Sequence, residues 1–211
     1  MIIDLNNYPE EFKLLKNKYN CEFNGVIHIG AHYGEEYKTY KDLSIYPIVF
    51  IEALPHIYNT LITSVGPECI CINTALGNIE GTIKMHVETA NGGASSSVLK
   101  PKLHLHQHPQ IQFHTEVEVS ITKLDLLNIP SCNFLVIDVQ GYELEVLKGA
   151  SNYLKNVDYI IVEVNRDEVY ENCVHINELD SYLNNYGFIR VETEWSGYLS
   201  GDAFYIKTNK N

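Results

Sequence analysis

The chain has 211 residues, the length of one domain with a short appendage rather than two full ones. Its 45% hydrophobic and 20% charged residues match ordinary globular usage and argue against wholesale disorder. Fifteen basic against twenty-seven acidic residues give a net charge of −12, which sets the surface against a nucleic-acid partner.

Five cysteines (Cys21, Cys69, Cys71, Cys132 and Cys173) are scattered without a C-x-x-C pair, a poor pattern for a disulfide scaffold or a cysteine zinc site. The opening MIIDLNN lacks the basic region and apolar core of a signal peptide, and no apolar run approaches the ~18 residues of a membrane span. A soluble, cytoplasmic protein is expected. Pro9 to Tyr19 places Phe12, Leu15 and Tyr19 at helical spacing, so residues 1–24 read as an amphipathic helical segment laid on the main body.

From Gly25 the text alternates between strand and helix. Gly25 to Gly30 (GVIHIG), Ile48 to Ala53 (IVFIEA) and Glu68 to Leu76 are apolar strands, separated by helices over Glu35 to Leu43 and His56 to Val65. Near-continuous apolar strands between helices are what a parallel sheet covered on both faces requires. Ile79 to Thr89 and Thr115 to Thr122 instead alternate apolar with polar, like edge strands. Between them Ala90 to His114 reads as a lid or binding loop, so about 79–122 is an inserted region. The α/β pattern returns with strands at Asn133 to Val139 and Val157 to Val164 and helices at Glu143 to Leu154 and Ile176 to Tyr186. Strands Phe188 to Thr193 and Ala203 to Lys207 close the chain, which predicts a mostly parallel sheet with one antiparallel strand.

The first strand ends in a glycine turn, His28-Ile29-Gly30-Ala31-His32-Tyr33-Gly34, and the second ends in Glu52, 22 residues beyond Gly30. A glycine turn brings backbone close to a ligand, and an acid about 20 residues on is placed to accept from a ribose diol. The turn is not G-x-G-x-x-G and holds no Lys or Arg, which suits an adenosine ligand without phosphates better than a dinucleotide. At the fourth strand's end, Asp138-Val139-Gln140-Gly141-Tyr142-Glu143 sets a carboxylate where open α/β sheets bind ligands.

These segments resemble the FkbM family of S-adenosylmethionine-dependent methyltransferases over nearly all of Gly25 to Lys207. The matching pieces are IGAHYG, FIEALP, NTALGN, the Ser95-Ser96-Ser97 cluster, LDLL, FLVIDVQGYELEVLKGA, IIVEVN and GDAFYIK. The resemblance implies that 25–211 is a Rossmann-like class I methyltransferase domain, with a seven-stranded mostly parallel sheet, its last strand antiparallel, and helices on both faces. The cofactor is then S-adenosyl-L-methionine, leaving as S-adenosyl-L-homocysteine. Gly30, Ala31, His32 and Gly34 would surround its methionine part, Glu52 with Ala53 its ribose, Asn73, Ala75 and Leu76 its adenine, and Asp138 and Gln140 its methyl group. His28, also counted among the cofactor-binding residues, stands where the family usually has an acid, and a satisfied core imidazole is the plainer reading of it.

The implied reaction is O-methylation of a hydroxyl-bearing acceptor, a small molecule or a glycan, most simply a sugar. Asp138 is the first choice of base, with His108 and His114 of the long loop as competitors. Ser95, Ser96, Ser97, Gln140, Tyr142, Glu143, Glu163, Asn165 and Trp195 are expected at the acceptor. His104, His106 and His108 alternate, and a strand would point all three one way as metal ligands do. A solvated or acceptor-facing lid is the favoured reading, and no metal is assigned. A nicotinamide-dependent oxidoreductase, a non-catalytic S-adenosyl-ligand module and a metal-assisted methyltransferase are the alternatives.

Overall fold

A computed structural model describes residues 8–208, so the first seven residues of the N-terminal segment and the last three of the chain lie outside the described part. Its centre is a seven-stranded sheet in the order β3-β2-β1-β7-β8-β10-β9. The strands are β1 (Val26–Ile29), β2 (Ile48–Glu52), β3 (Ile70–Asn73), β7 (Phe134–Ile137), β8 (Tyr159–Asn165), β9 (Phe188–Glu194) and β10 (Ser200–Lys207). β3, β2, β1, β7 and β8 run parallel, and β10 lies antiparallel between β8 and β9. This is the Rossmann-like methyltransferase sheet that the sequence implied.

Every residue of β1, β2 and β7 is buried, because successive side chains serve opposite faces and both faces are covered. Ile27, Ile29, Val49, Ile51, Leu135 and Ile137 join Val146 and Leu147 of α5 (Glu143–Lys148) and Leu179 and Leu183 of α6 (Ile176–Asn184). On the other face Val26, Ile48, Phe50, Phe134 and Val136 meet Phe12 and Leu15 of α1 (Tyr8–Tyr19), Tyr40 of α2 (Tyr37–Asp42) and Leu61 of α3 (Pro55–Ser64). The N-terminal helix therefore closes one face of the sheet rather than lying outside the core.

Three expectations need correction. The third strand does not run from Glu68 to Leu76: the chain leaves the main sheet at Thr74, and Ala75–Leu76 (β4) pairs with β6 (Phe113–Thr122) in a second sheet, order β4-β6-β5, with β5 Gly81–Glu88. The Thr74 hydroxyl donates to the Ser120 carbonyl at that crossing, 3.2 Å away. The helix predicted to reach Leu154 stops at Lys148, where Gly149 follows with its Cα packed on the Gly77 carbonyl. The loop 90–114 is not structureless. A bridge from His86 to Ser97 and another from Pro101 to Tyr170 fold it onto the body, and His104–Gln107 forms a single helical turn, α4.

Phe134 sits fully buried at the junction of sheet and N-terminal segment, stacked on Phe23 with ring centroids 4.5 Å apart and edge-on to Phe12 at 5.7 Å. Phe134→Ala is expected to lower unfolding stability by about 3–5 kcal/mol in urea titration, the usual cost of emptying a packed aromatic site.

Candidate active site

The sheet register carries the site. Glu52 pairs with Asn73, and Asp202 with Glu163. Ile29 pairs with both Ile51 and Ile137, and Ile137 with Val162. One residue further along each strand, Asn73, Glu52, Gly30, Asp138, Glu163 and Asp202 form a single row across the carboxyl end of the sheet. Gly30 is the gap in that row. Its φ of +80° is left-handed, and a Cβ there would lie 1.7 Å from the Asp138 carbonyl oxygen, so only glycine lets the two strand tips sit so close.

Beside this row opens a cleft of about 600 Å³, part of it open to solvent. Gly30, His32, Glu52, Ala53, Ala75, Leu76, Ser96, Asp138, Gln140 and Tyr142, all singled out from the sequence, line it. Sequence reasoning missed Leu54, Ile57, Thr74, Met85, Gly93, Ala94 and Val98, which give the cleft its apolar wall. The Pro55 helix start hinted at Leu54 and Ile57. Met85 and Val98 arrive from the second sheet and the folded loop, and carry no local signal.

Glu52 is held as an acceptor: Oε2 takes the His32 N–H at 3.0 Å and Oε1 the Leu54 N–H at 2.8 Å. Burial pushes its carboxyl above the usual carboxylate range. Asn73 does not line the cleft; its amide donates to the Glu52 and Ala53 carbonyls at 2.9 and 3.0 Å and so fixes the β2 tip. Asp138 is open to the cleft yet enclosed by neighbouring strand tips. That enclosure raises its carboxyl, against the pull of the Gln140 amide, which donates to Oδ1 at 2.6 Å.

Other expected site residues are placed behind the cleft. His28 lies beneath the glycine turn, Nδ1 3.0 Å from the Tyr40 hydroxyl and 3.5 Å from Glu36 Oε2, and burial pushes it down to about 4. Ala31 is buried in the core, and Gly34 lets the turn press on Leu61 of α3 and on Val65 just after it. Ser97 donates to the Gln140 carbonyl at 2.7 Å, while Ser95 faces His104, Oγ to Nε2 3.1 Å. Glu163 is half-buried and accepts from the Gln140 amide at 3.2 Å. The Asn165 side chain is buried with neither polar atom partnered among the described residues. Trp195 has its ring covered by the Arg166 guanidinium, 3.7 Å from the ring centre, away from the cleft.

The histidine tract is corrected outright. The helical turn α4 turns His104 inward against Tyr170 and leaves His106 and His108 exposed, so the three imidazoles do not share a face. His108 does not reach the cleft, and exposed His114 lines a separate shallow depression with Lys100, Phe113 and Glu171. Among the described residues no group of three or more His, Cys, Asp or Glu side chains is arranged to hold a metal ion. Nor is any described helix long and apolar enough to cross a membrane.

The segment after β5 is built on Glu88, a buried carboxylate of that strand. It accepts the backbone N–H groups of Ala90 and Asn91 with one oxygen and that of Gly93 with the other, at 2.9 Å. The Gly92 carbonyl takes the Tyr33 hydroxyl at 3.1 Å and lies 3.2 Å from His32 Nε2, which ties this segment to the glycine turn.

Strand order, glycine turn and acid row together define a Rossmann-like methyltransferase. The profile of the methyltransferase FkbM domain matches residues 28–190, and the chain belongs to that family. It is 25% identical over 124 residues to the 2-O-methyltransferase NoeI of Sinorhizobium fredii, covering 54% of this chain and 51% of the relative. It is 50% identical over 36 residues to the hexuronic acid methyltransferase AglP of Haloferax volcanii, 17% of this chain and 15% of AglP. The chain thus spans about half or less of the curated relatives it matches. Among solved structures it resembles the FkbM methyltransferase of Methylobacillus flagellatus with TM-score 0.58 at 12% identity, over 86% of this chain and 43% of that one. It also resembles magnesium protoporphyrin IX methyltransferase of Synechocystis with bound SAM, TM-score 0.54 at 10% identity, over 96% and 79% of the two chains.

Glu143 tests the electrostatics. It is fully buried at the start of α5, its Oε1 takes the Val139 and Gly141 N–H groups, its Oε2 has no partner among the described residues, and burial pushes it up to about 7. Between 4.5 and about 7 the folded chain keeps a proton that the unfolded chain has released, so this group's contribution to stability falls as pH rises through that window. Glu36, also pushed up to about 7, acts with the same sign, while His28 and His104, held down to about 4, act oppositely. Glu143→Gln removes one contributor. Its stability relative to the parent protein is expected to rise by up to ~3 kcal/mol between about pH 5 and pH 7.5 in urea titrations.

Proposed function

We propose that the protein is an S-adenosylmethionine-dependent O-methyltransferase that acts on a hydroxyl of a sugar or glycan. The observation that carries this reading is the row Glu52, Gly30, Asp138 beside a cleft whose lining, among the described residues, includes no lysine or arginine. A phosphate-bearing nucleotide would call for cationic or glycine-rich support that this lining lacks, whereas acids suit a cationic, phosphate-free nucleoside. Ile51, Leu54, Ile57, Leu76, Met85 and Val98 offer an apolar wall to the adenine, and Glu52 keeps lone pairs for a ribose diol. Gly30 and His32 border the methionine end.

S-adenosylmethionine supplies, when bound, a methyl group already activated on sulfur. The chain's part is to align the acceptor and to take its proton. Alignment by fixed strand tips can supply on the order of 7–11 kcal/mol. Asp138 is the base: it faces the cleft, its carboxyl is raised towards the working range, and the Gln140 amide fixes its direction. The absence of His108 and His114 from the described lining of the cleft favours Asp138 over them. Transfer to oxygen is supported by the name of the 2-O-methyltransferase NoeI and a sugar acceptor by that of the hexuronic acid methyltransferase AglP, and the acids of the cleft with the net charge of −12 favour a neutral or cationic acceptor over a polyanion.

Calorimetric titration with S-adenosylhomocysteine is expected to show binding that Glu52→Ala abolishes, and titration with NAD none; tight NAD binding would return the protein to the oxidoreductases. Asp138→Ala is expected to retain S-adenosylhomocysteine while methyl transfer to a neutral sugar acceptor drops by at least about 10²-fold. Full transfer by that variant would remove Asp138 from the base role.

A further inference from the structure

Gln140 occupies an unusual position. It is one of five described non-glycine residues with positive φ, at +57°, a conformation that costs a side-chain-bearing residue energy and persists where the surroundings enforce it. Four hydrogen bonds enforce it here. The buried Ser97 hydroxyl holds its backbone carbonyl. Its amide nitrogen reaches Asp138 Oδ1 at 2.6 Å and Glu163 Oε2 at 3.2 Å, side chains that the sheet register sets next to one another. Its amide oxygen lies 2.8 Å from the hydroxyl of Tyr170, a fully buried residue whose single proton is shared with the Ser95 carbonyl at 2.9 Å.

A carboxamide can be rotated end for end at little cost unless its partners differ. Two carboxyl groups on one side ask for the NH2 end, and a hydroxyl donor on the other asks for the oxygen. We propose that Tyr170 is a positioning residue for methyl transfer, fixing the Gln140 carboxamide so that its NH2, and not its carbonyl, faces Asp138 and Glu163. This rests on the reading of Asp138 as the base. Without the Tyr170 hydroxyl the amide is free to turn its oxygen towards Asp138, which would lose its donor and meet a second acceptor. Tyr170 also belongs to the segment stitched to the loop 90–114, where the Lys102 and His104 N–H groups donate to the Val169 carbonyl at 2.9 and 3.0 Å. Loop placement and base orientation therefore share one side chain.

Besides Gln140, the titratable groups that act on Asp138 are His28 of β1, His32 of the glycine turn, Glu36 before α2, Glu143 of α5, Glu163 of β8 and Tyr170. Those facing Glu163 are Asp138, Glu143 of α5, Asp202 of β10 and Cys173 of the following loop. None of them donates to Asp138 in a way that would replace the Gln140 amide.

The test follows the Asp138 carboxyl resonance with pH in cofactor-free protein labelled with aspartate carrying carbon-13 in its carboxyl, the peak being assigned by Asp138→Asn. Tyr170→Phe and Gln140→Leu are each expected to raise the Asp138 midpoint by at least about half a pH unit, and the double variant no further than Gln140→Leu alone. In methyl transfer Tyr170→Phe should lower kcat about tenfold while the KM for the methyl donor stays unchanged. An unmoved midpoint in either folded variant, or a further rise in the double one, overturns the proposal. If Tyr170→Phe does not fold, Gln140→Leu still decides it. Failure of the parent protein to transfer methyl at all would overturn the functional reading, whereas the shifted midpoint would still establish the chain from Tyr170 to Asp138.

Discussion

The close approach of two parallel strand tips, at Gly30 and Asp138, is the constraint on which the rest of the site depends. The Asp138 carbonyl oxygen lies where a side chain at position 30 would begin. The ladder continues through this contact, with the Gly30 N–H on Ile51 and the Asp138 N–H on Ile29. Glu52 on one side and Asp138 on the other are thereby held in one row with a backbone gap between them. A larger residue would push β1 and β7 apart at their ends, and the two carboxylates would no longer bound one cleft.

Such a row concentrates negative charge. Asp138, Glu163 and Asp202 occupy neighbouring strands, and Glu143 and Glu36 stand close by. Burial in these poorly solvated surroundings, with like charges beside them, raises the carboxyls of Asp138, Glu163, Glu143 and Glu36 alike. The Gln140 amide donates to Asp138 and Glu163 at once and pulls the Asp138 carboxyl down against the effect of burial.

The second sheet and its loop turn an open strand edge into a cleft. β4 exists because the chain steps out of the main sheet at Thr74, and the β5–β6 hairpin it pairs with carries Met85 over the cleft. Glu88 then gathers three backbone N–H groups and bends the following residues back. A single buried carboxylate thus organises a loop that is rich in glycine and serine and has little apolar content of its own.

The sequence alone determined the sheet class, the strands of its centre, and the placing of Gly30, Glu52 and Asp138 at strand ends. Buried parallel strands must be apolar throughout, and the residues that end them are punctuated by glycine and acid, so both signals are local. Only the tertiary structure decided the split of the third strand, the helical turn that breaks the alternation of His104, His106 and His108, and the supporting contacts made by Ser97, Glu143 and Trp195. It also brought in Tyr170, which lies 30 residues beyond its partner Gln140. Those outcomes depend on which distant segment covers each side chain, and a spacing rule reads only neighbours along the chain.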